Sequence, residues 1–276
     1  MKTLLDVPAK NLSTYGGHGV VKQLLIPDTD DEFVSVMTTE SKRYILGGGS
    51  NTIIPDGKIT TKVISTKGLK SITFEGDEVR VQCGVMLPHL IKECSAKGLG
   101  GLEFLASVPA TIGGAVRMNA GAFGREIGAY ITKMTVLSAD CVVKDLYPPY
   151  NFSYRQGTED VVIDVTFRLD RTTREECERT LKTCVDLRKA KQPKGRSVGS
   201  TFKNLGLGAG YYIDRAGLKG TRVGGAEIST KHANFILNTD DGSAGDFLTL
   251  VDMAKSRVRD EFGVNLKEEF ILLGEQ

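Results

Sequence analysis

Residues 102–124, which read LEFLASVPATIGGAVRMNAGAFG, constrain the fold of this chain more than any other stretch. Small residues come in pairs behind Pro109 and charge is almost absent, so we expect the run to be too irregular for a helix. Glycine lacks a Cβ, so it lets the backbone approach a ligand closely and adopt positive φ, at a cost in conformational entropy. Taken alone, the stretch is equally consistent with backbone laid against a ligand and with a buried turn.

A second glycine cluster favours the ligand interpretation. It consists of Gly47, Gly48, Gly49, Ser50 and Asn51. A predicted strand at 22–26, a predicted helix at 27–39 and a predicted strand at 44–46 precede it as a βαβ unit, and ligands of such units bind at the carboxyl ends of strands. Backbone N–H groups, a hydroxyl and an amide suit phosphate oxygens. The cluster is neither a Walker loop nor a Rossmann fingerprint. Two such segments predict one long phosphate-bearing ligand.

Composition excludes several classes of protein. The 276 residues are 40% hydrophobic and 25% charged, with a formal net charge of +2, which suits a globular chain of two or three lobes and gives no field that would attract nucleic acid. The five cysteines contain no C-x-x-C pair, so neither a disulfide framework nor a metal site is predicted. No signal-peptide core and no apolar run near the ~20 residues of a membrane span is visible, so we expect a cytosolic protein.

Periodicity predicts most of the remaining elements. Residues 71–75 and 78–83 alternate polar and apolar positions across a Gly-Asp turn, which predicts a hairpin. Helical spacing covers 87–97, 175–191 and 247–262, and a glycine follows the first and the last of these helices. Further strands are predicted at 61–65, 131–137, 141–146, 161–169 and 266–273.

Six motifs, in this order, resemble the UDP-N-acetylenolpyruvoylglucosamine reductase (MurB) family. They are GGGSN, GLEFLASVPATIGGAVRMNAGAFG, SYR, VGSTFKN, GLKGTRVGGAEISTKHANFILN and FGVNLKEEFILLG, and they span nearly the whole chain. The length is similar to the shorter class of the family, which lacks an insertion in its third domain.

The resemblance implies an α+β fold. A two-lobed FAD-binding domain of the p-cresol methylhydroxylase and vanillyl-alcohol oxidase type would occupy residues 1–170, with lobes at about 1–67 and 68–170. A C-terminal α/β substrate-binding domain would occupy residues 171–276.

The resemblance also implies an activity, that of a UDP-N-acetylmuramate dehydrogenase. NADPH would supply a hydride through FAD to UDP-N-acetylglucosamine enolpyruvate, giving the peptidoglycan precursor UDP-N-acetylmuramate. Superfamily members with covalent flavin carry a His in the first glycine loop, where this chain has Ser50 and Asn51. Noncovalent FAD is therefore expected, with a small UDP-sugar as the other ligand and no membrane or nucleic-acid partner.

The family motifs carry the site residues over to this chain. The implied FAD-binding residues are Gly47, Gly48, Gly49, Ser50, Asn51, Val108, Pro109, Thr111, Ile112, Gly113, Gly114, Ala115, Asn119, Gly121 and Ala122. The implied substrate-binding residues are Tyr154, Lys203, Asn204, Lys231, His232 and Asn234. For His232 a structural role is favoured when the residue is considered alone.

Three residues are implied to be catalytic. Arg155, which alone reads as a surface arginine stacked on Tyr154, would stabilise charge on the enolpyruvyl carboxylate, because a guanidinium can donate two parallel hydrogen bonds. Ser200, which alone reads as an ordinary loop serine, would donate a proton to the substrate carbon that receives no hydride. Alternation along 266–273 does not say whether Glu268 or Glu269 is buried, and the family pattern selects Glu269.

Two rival functions remain open at the level of sequence. The first is a flavin oxidase or dehydrogenase on the same fold that acts on an alcohol or a lactone. The second is a catalytically silent nucleotide-binding relative, which departures from the family pattern at Val20, Leu205 and Phe270 leave open.

Overall fold

The computed structural model describes residues 1–204 and 206–274, so Leu205 lies outside the described residues. The chain forms two compact units, and each is assembled from several segments. The first unit comprises Met1–Thr3, Leu25–Gly48 and Val63–Arg188, and the second comprises Leu4–Leu24, Gly49–Lys62 and Lys189–Gln276. The boundaries predicted at residues 67 and 170 divide the chain into continuous functional parts, whereas these two units are discontinuous in sequence. The predicted boundaries stay predictions.

The helices and strands are numbered in chain order. The helices are α1 Asp30–Thr39, α2 Leu87–Ala96, α3 Ile112–Arg117, α4 Arg174–Lys191, α5 Ala209–Arg215 and α6 Ala244–Phe262. The strands are β1 Lys2–Pro8, β2 Val20–Ile26, β3 Arg43–Leu46, β4 Thr52–Ile53, β5 Lys58–Ile59, β6 Lys62–Ser65, β7 Ile72–Glu75, β8 Glu78–Gln82, β9 Leu99–Gly100, β10 Gly121–Ala122, β11 Arg125–Glu126, β12 Ile131–Leu137, β13 Val143–Leu146, β14 Val161–Arg168, β15 Asp170–Arg171, β16 Arg222–Val223, β17 Ala226–Ile228, β18 Ile236–Asn238 and β19 Ile271–Leu272.

The first unit is built on an antiparallel sheet in the order β13-β12-β14-β8-β7. The predicted hairpin is confirmed, since Glu75 pairs with Glu78 and Ile72 with Val81. Helix α2 also follows its prediction, because its apolar stripe lies in the core of this unit and Gly98 ends it at a φ of 68°. Helix α1 begins where the Thr29 side chain accepts a hydrogen bond from the backbone N–H of Glu32.

One prediction for the glycine-rich stretch is wrong. Residues 112–117 form the short helix α3, although the run was expected to be too irregular for any helix. The helix is held by its surroundings, because the N–H of Ile112 donates to the Val85 carbonyl and that of Gly113 to the Cys83 carbonyl. Tertiary packing thus outweighs the low helix propensity of two adjacent glycines.

The second unit contains the long helix α6 and the sheet β16-β17-β18. Ser243 and Asp246 form a capping box at the start of α6, and Gly263 ends it at a φ of 65°. The predicted strand at 266–273 is mostly wrong, since only β19 is a regular strand, and it pairs in parallel with β4. One reason is that residues 267–269 bond instead to residues 201–203.

The five cysteines are free thiols, and three of them, Cys83, Cys94 and Cys177, are buried. Among residues 1–204 and 206–274, no helix is long and apolar enough to span a membrane. The same residues include no cluster of His, Cys, Asp and Glu side chains suited to a metal ion.

Candidate active site

The two glycine-rich segments meet in the first unit. A Cβ on Gly48 would lie 2.8 Å from the Pro109 carbonyl oxygen, and a Cβ on Gly47 would overlap Thr111 Oγ1. Thr111 is fully buried, so neither segment could move aside without disturbing the core. The bare backbone of residues 47–48 therefore packs directly on residues 109–111. We call this arrangement the glycine cradle.

Helix α3 continues the glycine cradle. Thr111 caps it by accepting a hydrogen bond from the N–H of Gly114 at 3.4 Å. A Cβ on Gly113 would lie 2.9 Å from Cys83 Cβ, whereas a Cβ on Gly114 would meet only Thr111 Oγ1, at 3.4 Å. The side chains of Ile112 and Ala115 point into the core, so a ligand would meet the backbone here. The N–H groups of residues 112–114 already donate within the protein, so this part of the cradle would offer a ligand a close backbone surface rather than free helix N–H groups.

Arg155 lies in a strained turn of the first unit. Ser153 and Gln156 exchange backbone hydrogen bonds at 2.8 and 3.0 Å, which leaves Arg155 with a φ of 58°. A non-glycine residue in this conformation costs roughly 1–3 kcal/mol, and such strain concentrates at functional sites. The guanidinium stacks on Tyr154, with 4.9 Å between its carbon and the ring centroid, as the residue read alone predicts. It also reaches Gly121, whose Cβ would lie 3.6 Å from Arg155 Nη1.

Asn119, predicted to bind the cofactor, uses its side chain inside the protein. Its Nδ2 donates to Glu126 Oε2 at 2.6 Å and to the Ser153 carbonyl at 3.1 Å, while its Oδ1 accepts from the N–H of Gly128. The residue is buried. Asn119 thus holds the turn that carries Arg155, and its predicted contact with a cofactor would have to come from its backbone.

Sequence reasoning missed Arg188, near the end of α4. Its Nε is buried and has no hydrogen-bond partner among the residues that the structure describes. Burial lowers the pKa of the Arg188 guanidinium, and the positive charge of Arg155 lowers it further. A guanidinium with a buried, unpartnered N–H and a second positive charge in its surroundings is suited to binding an anion. In the sequence, an arginine in the last turn of a helix is equally well explained by the helix dipole.

Ser200 and Glu269 lie on adjoining segments of the second unit. The N–H of Glu269 donates to the Thr201 carbonyl at 2.9 Å, and the N–H of Lys203 donates to the Lys267 carbonyl at 2.8 Å. Asn51 joins the same patch, because its Nδ2 donates to the Glu269 carbonyl at 2.8 Å. The structure therefore places Ser200 and Glu269, two of the predicted catalytic residues, on or next to hydrogen-bonded segments of this unit.

The structure does not choose between the two glutamates by burial, since both are half-buried. Glu268 binds Lys255 Nζ at 2.6 Å. Burial is the largest single influence and raises the pKa of Glu268, but hydrogen bonds, led by the one from Lys255, outweigh it and leave the pKa below its ordinary value. Glu268 is thus engaged by helix α6, and the assignment of Glu269 stays a prediction from the family pattern.

The segment 229–235 is tied into its own unit. The Ser229 hydroxyl accepts hydrogen bonds from the N–H groups of Lys231 and His232. His232 Nδ1 accepts from the N–H of Asn234, and burial lowers the pKa of His232, so the neutral ring with its proton on Nε2 is favoured. Lys231 Nζ donates to the Lys189 carbonyl at 2.7 Å. These contacts support the structural role for His232.

The other predicted residues differ in exposure. Tyr154 and Asn204 are exposed, Pro109 is exposed, Gly49 is buried, and Ser50, Asn51, Val108, Ala122, Ser200 and Lys203 are half-buried. Gly49 has a φ of 70°, and a Cβ there would overlap the Leu12 carbonyl oxygen. Glycine at position 49 is therefore required by the fold, whatever it binds.

Comparisons with known proteins cover both parts of the chain. Residues 21–146 match the model of an FAD binding domain, and residues 191–273 match that of the UDP-N-acetylenolpyruvoylglucosamine reductase C-terminal domain. The chain is 36% identical to the UDP-N-acetylenolpyruvoylglucosamine reductase of Syntrophus aciditrophicus, over 99% of this chain and 92% of that protein. It is 40% identical to UDP-N-acetylenolpyruvoylglucosamine reductase 2 of Symbiobacterium thermophilum, over 84% and 78%. The crystal structure of UDP-N-acetylenolpyruvylglucosamine reductase (MurB) from Thermus caldophilus matches with a TM-score of 0.84 at 33% identity, over 99% and 98%.

Proposed function

The chain belongs to the UDP-N-acetylenolpyruvoylglucosamine reductase (MurB) family, and we propose that it reduces UDP-N-acetylglucosamine enolpyruvate to UDP-N-acetylmuramate with NADPH as hydride donor. The observation that carries this proposal is the match over both parts of the chain, the FAD-binding part and the reductase C-terminal part. FAD, when bound, supplies the redox chemistry by accepting a hydride from NADPH and passing it to the enolpyruvyl group.

Residues 1–170 are proposed as the cofactor-binding part and residues 171–276 as the substrate-binding part. Within the first, the glycine cradle and the loop 49–51 hold FAD without a covalent bond. Support comes from the match of residues 21–146 to the model of an FAD binding domain. The remaining cofactor residues keep the assignments implied by the family motifs.

Three side chains are proposed to act on the substrate. Ser200 donates a proton to the carbon next to the one that receives the hydride, and Lys203 and Asn204 supply neighbouring donors that make this hydroxyl a better acid. Arg155 binds the enolpyruvyl carboxylate, and with Glu269 it steadies the enolate-like intermediate. The paired segments 201–203 and 267–269 support a shared role for Ser200 and Glu269.

Weaker contacts with the UDP-sugar are proposed for Tyr154, Lys231 and His232. The protein is proposed to work in the cytoplasm on this small molecule, without a membrane or nucleic-acid partner. The near-neutral net charge supports the last point.

The visible absorbance spectrum tests the function directly. We expect a flavin band that bleaches with anaerobic NADPH and returns when the enolpyruvyl sugar is added. A band that returns only when air is admitted would point to the oxidase rival. A protein that never acquires a flavin band, even with added FAD, would contradict the cofactor assignment and every role that depends on it.

Ser200→Ala tests the proton donor separately. The variant should bind FAD and oxidise NADPH normally, but its turnover of the enolpyruvyl sugar should fall by ~10²–10⁴-fold, the scale of a positioned acid. Turnover within a few-fold of the wild type would remove Ser200 from the mechanism.

A further inference from the structure

The side-chain amide of Asn234 is bound on both of its polar atoms by the backbone of a single residue. Its Oδ1 accepts from the N–H of Phe202 at 2.9 Å, and its Nδ2 donates to the Phe202 carbonyl at 2.8 Å. Asn234 is 1% exposed and Phe202 is also 1% exposed. A buried amide held in this way mimics a neighbouring strand, and at 1% exposure its side chain is closed to a ligand.

Thr201, the residue before Phe202, is held by backbone hydrogen bonds to Asn234 and to Glu269. The N–H of Thr201 donates to the Asn234 carbonyl at 2.8 Å, and the Thr201 carbonyl accepts from the N–H of Glu269 at 2.9 Å. Residues 201–202 are therefore fixed between the Asn234 segment and the Glu269 segment. We call this the 201–202 clamp.

Ser200 is the residue that directly precedes the 201–202 clamp. On its other side, Gly199 has a φ of 82°, and nothing lies within 4 Å of the position its Cβ would take. Before Gly199 the chain is also anchored, since Val198 is buried and the Ser197 carbonyl accepts from Thr14 Oγ1 at 2.7 Å, but Gly199 lies between that anchor and Ser200. The 201–202 clamp adjoins Ser200 directly, so it constrains the position of the Ser200 hydroxyl more closely.

We propose that Asn234 is a positioning residue for Ser200, which holds the proton donor in place through Phe202 and Thr201 rather than by contacting the UDP-sugar. This inference rests on the proposed function, because it presupposes that Ser200 delivers the proton. It replaces direct substrate binding as the main role of Asn234. A misplacement of about 1 Å at a reacting group lowers rates by about 10²-fold. Loss of the two Asn234 side-chain hydrogen bonds leaves the backbone bonds of Thr201 in place but frees Phe202, and it should therefore slow the step that needs the Ser200 proton.

The test compares Asn234→Ala with Asn238→Ala in the FAD-bound protein. Asn238 lies four residues further along the chain. Its side-chain amide also joins backbone segments, since it donates to the Tyr15 and Gly242 carbonyls and accepts from the N–H of Gly242. Both variants lose hydrogen bonds between a side-chain amide and the backbone, but only the Asn234 side chain binds within residues 201–202. Stopped-flow absorbance measures flavin reduction by NADPH and flavin reoxidation by the enolpyruvyl sugar as separate rates.

We expect Asn234→Ala to keep its rate of reduction by NADPH within about 2-fold and to lose about 10–10²-fold in the rate of reoxidation at saturating sugar. The solvent deuterium isotope effect on reoxidation should rise, because proton transfer becomes slower than the other steps. Asn238→Ala should change neither rate by more than about 2-fold. A loss confined to sugar affinity would overturn the inference and indicate that Asn234 contacts the sugar directly. Equal slowing of reoxidation in both variants would also overturn it, because general destabilisation would then explain the effect.

A double variant excludes a loss of folding as the cause. If Asn234 acts through Ser200, adding Asn234→Ala to Ser200→Ala should lower the reoxidation rate little further than Ser200→Ala alone. The losses of two residues that act through the same group do not add. Fully additive losses would overturn the inference. Failure of the wild-type protein to be reoxidised by the sugar would instead overturn the proposed function, so the two failures are distinguishable.

Discussion

The glycine cradle makes a quantitative prediction at Gly48. In Gly48→Ala the new methyl group would lie 2.8 Å from the Pro109 carbonyl oxygen, 3.3 Å from the Thr111 nitrogen and 3.4 Å from Ala110 Cα. These neighbours are backbone atoms, so a shift of a few tenths of an ångström would have to move two chain segments. Overpacking of this kind costs about 1–3 kcal/mol. For a chain of this size the melting temperature should fall by about 2–12 °C.

Gly114→Ala is the matched control. Its methyl group would meet only Thr111 Oγ1, at 3.4 Å, an ordinary contact. Alanine is also favoured over glycine inside a helix by up to about 1 kcal/mol. The intrinsic stability of this variant should therefore be unchanged or slightly higher, while FAD should bind more weakly because the methyl group occupies space that the proposed cofactor needs.

Thermal unfolding at several FAD concentrations separates the two effects, since the stabilisation by a ligand grows with the ratio of its concentration to its Kd. Gly48→Ala should melt lower at every FAD concentration, and Gly114→Ala should differ from the wild type only in how steeply FAD raises the melting temperature. A Gly48→Ala protein as stable as the wild type would refute the close packing of the two glycine segments. Normal FAD affinity in Gly114→Ala would show that the cofactor does not lie over this position.

Three further predictions follow from single residues. Arg188→Met removes a guanidinium whose buried Nε has no partner among the residues that the structure describes, so the melting temperature should not fall, but added pyrophosphate should stabilise the variant less than the wild type in a thermal-shift assay. Asp246→Asn should lower the free energy of unfolding by about 1 kcal/mol at pH 7, the usual worth of a helix cap. Hydrogen bonds, first from the Ser243 backbone, hold the pKa of Asp246 below its ordinary value of 3.8, so this stabilisation is present above that pH and is lost as the pH falls through the lowered value. Urea unfolding of both proteins between pH 7 and pH 3 should show the difference shrinking in acid, and a constant difference would contradict the assignment. Burial raises the pKa of Cys94 to about 12 and of Cys177 to about 11, and it also raises the pKa of the half-buried Cys184. Iodoacetamide should therefore label the half-buried Cys141 first, as read by peptide mass spectrometry.

The local sequence determined the helices whose signals lie within a few residues. Thr29 and the acidic first turn mark the start of α1, the apolar stripe and Gly98 define α2, and Gly263 ends α6. Ordered motifs likewise identified the family, because a motif is a property of the chain itself. Periodicity and capping act between neighbours in sequence, so they can be read without coordinates.

Only the tertiary structure decided the features that depend on distant partners. Helix α3 forms because Cys83 and Val85 accept its first hydrogen bonds, and the predicted last strand is short partly because residues 267–269 bond to residues 201–203. The backbone of Phe202, which binds the Asn234 side chain, also lies far from Asn234 in sequence. The environment of a side chain can be predicted from sequence when residues close to it along the chain determine that environment. These residues take their environment from long-range contacts, which alternation and spacing do not encode.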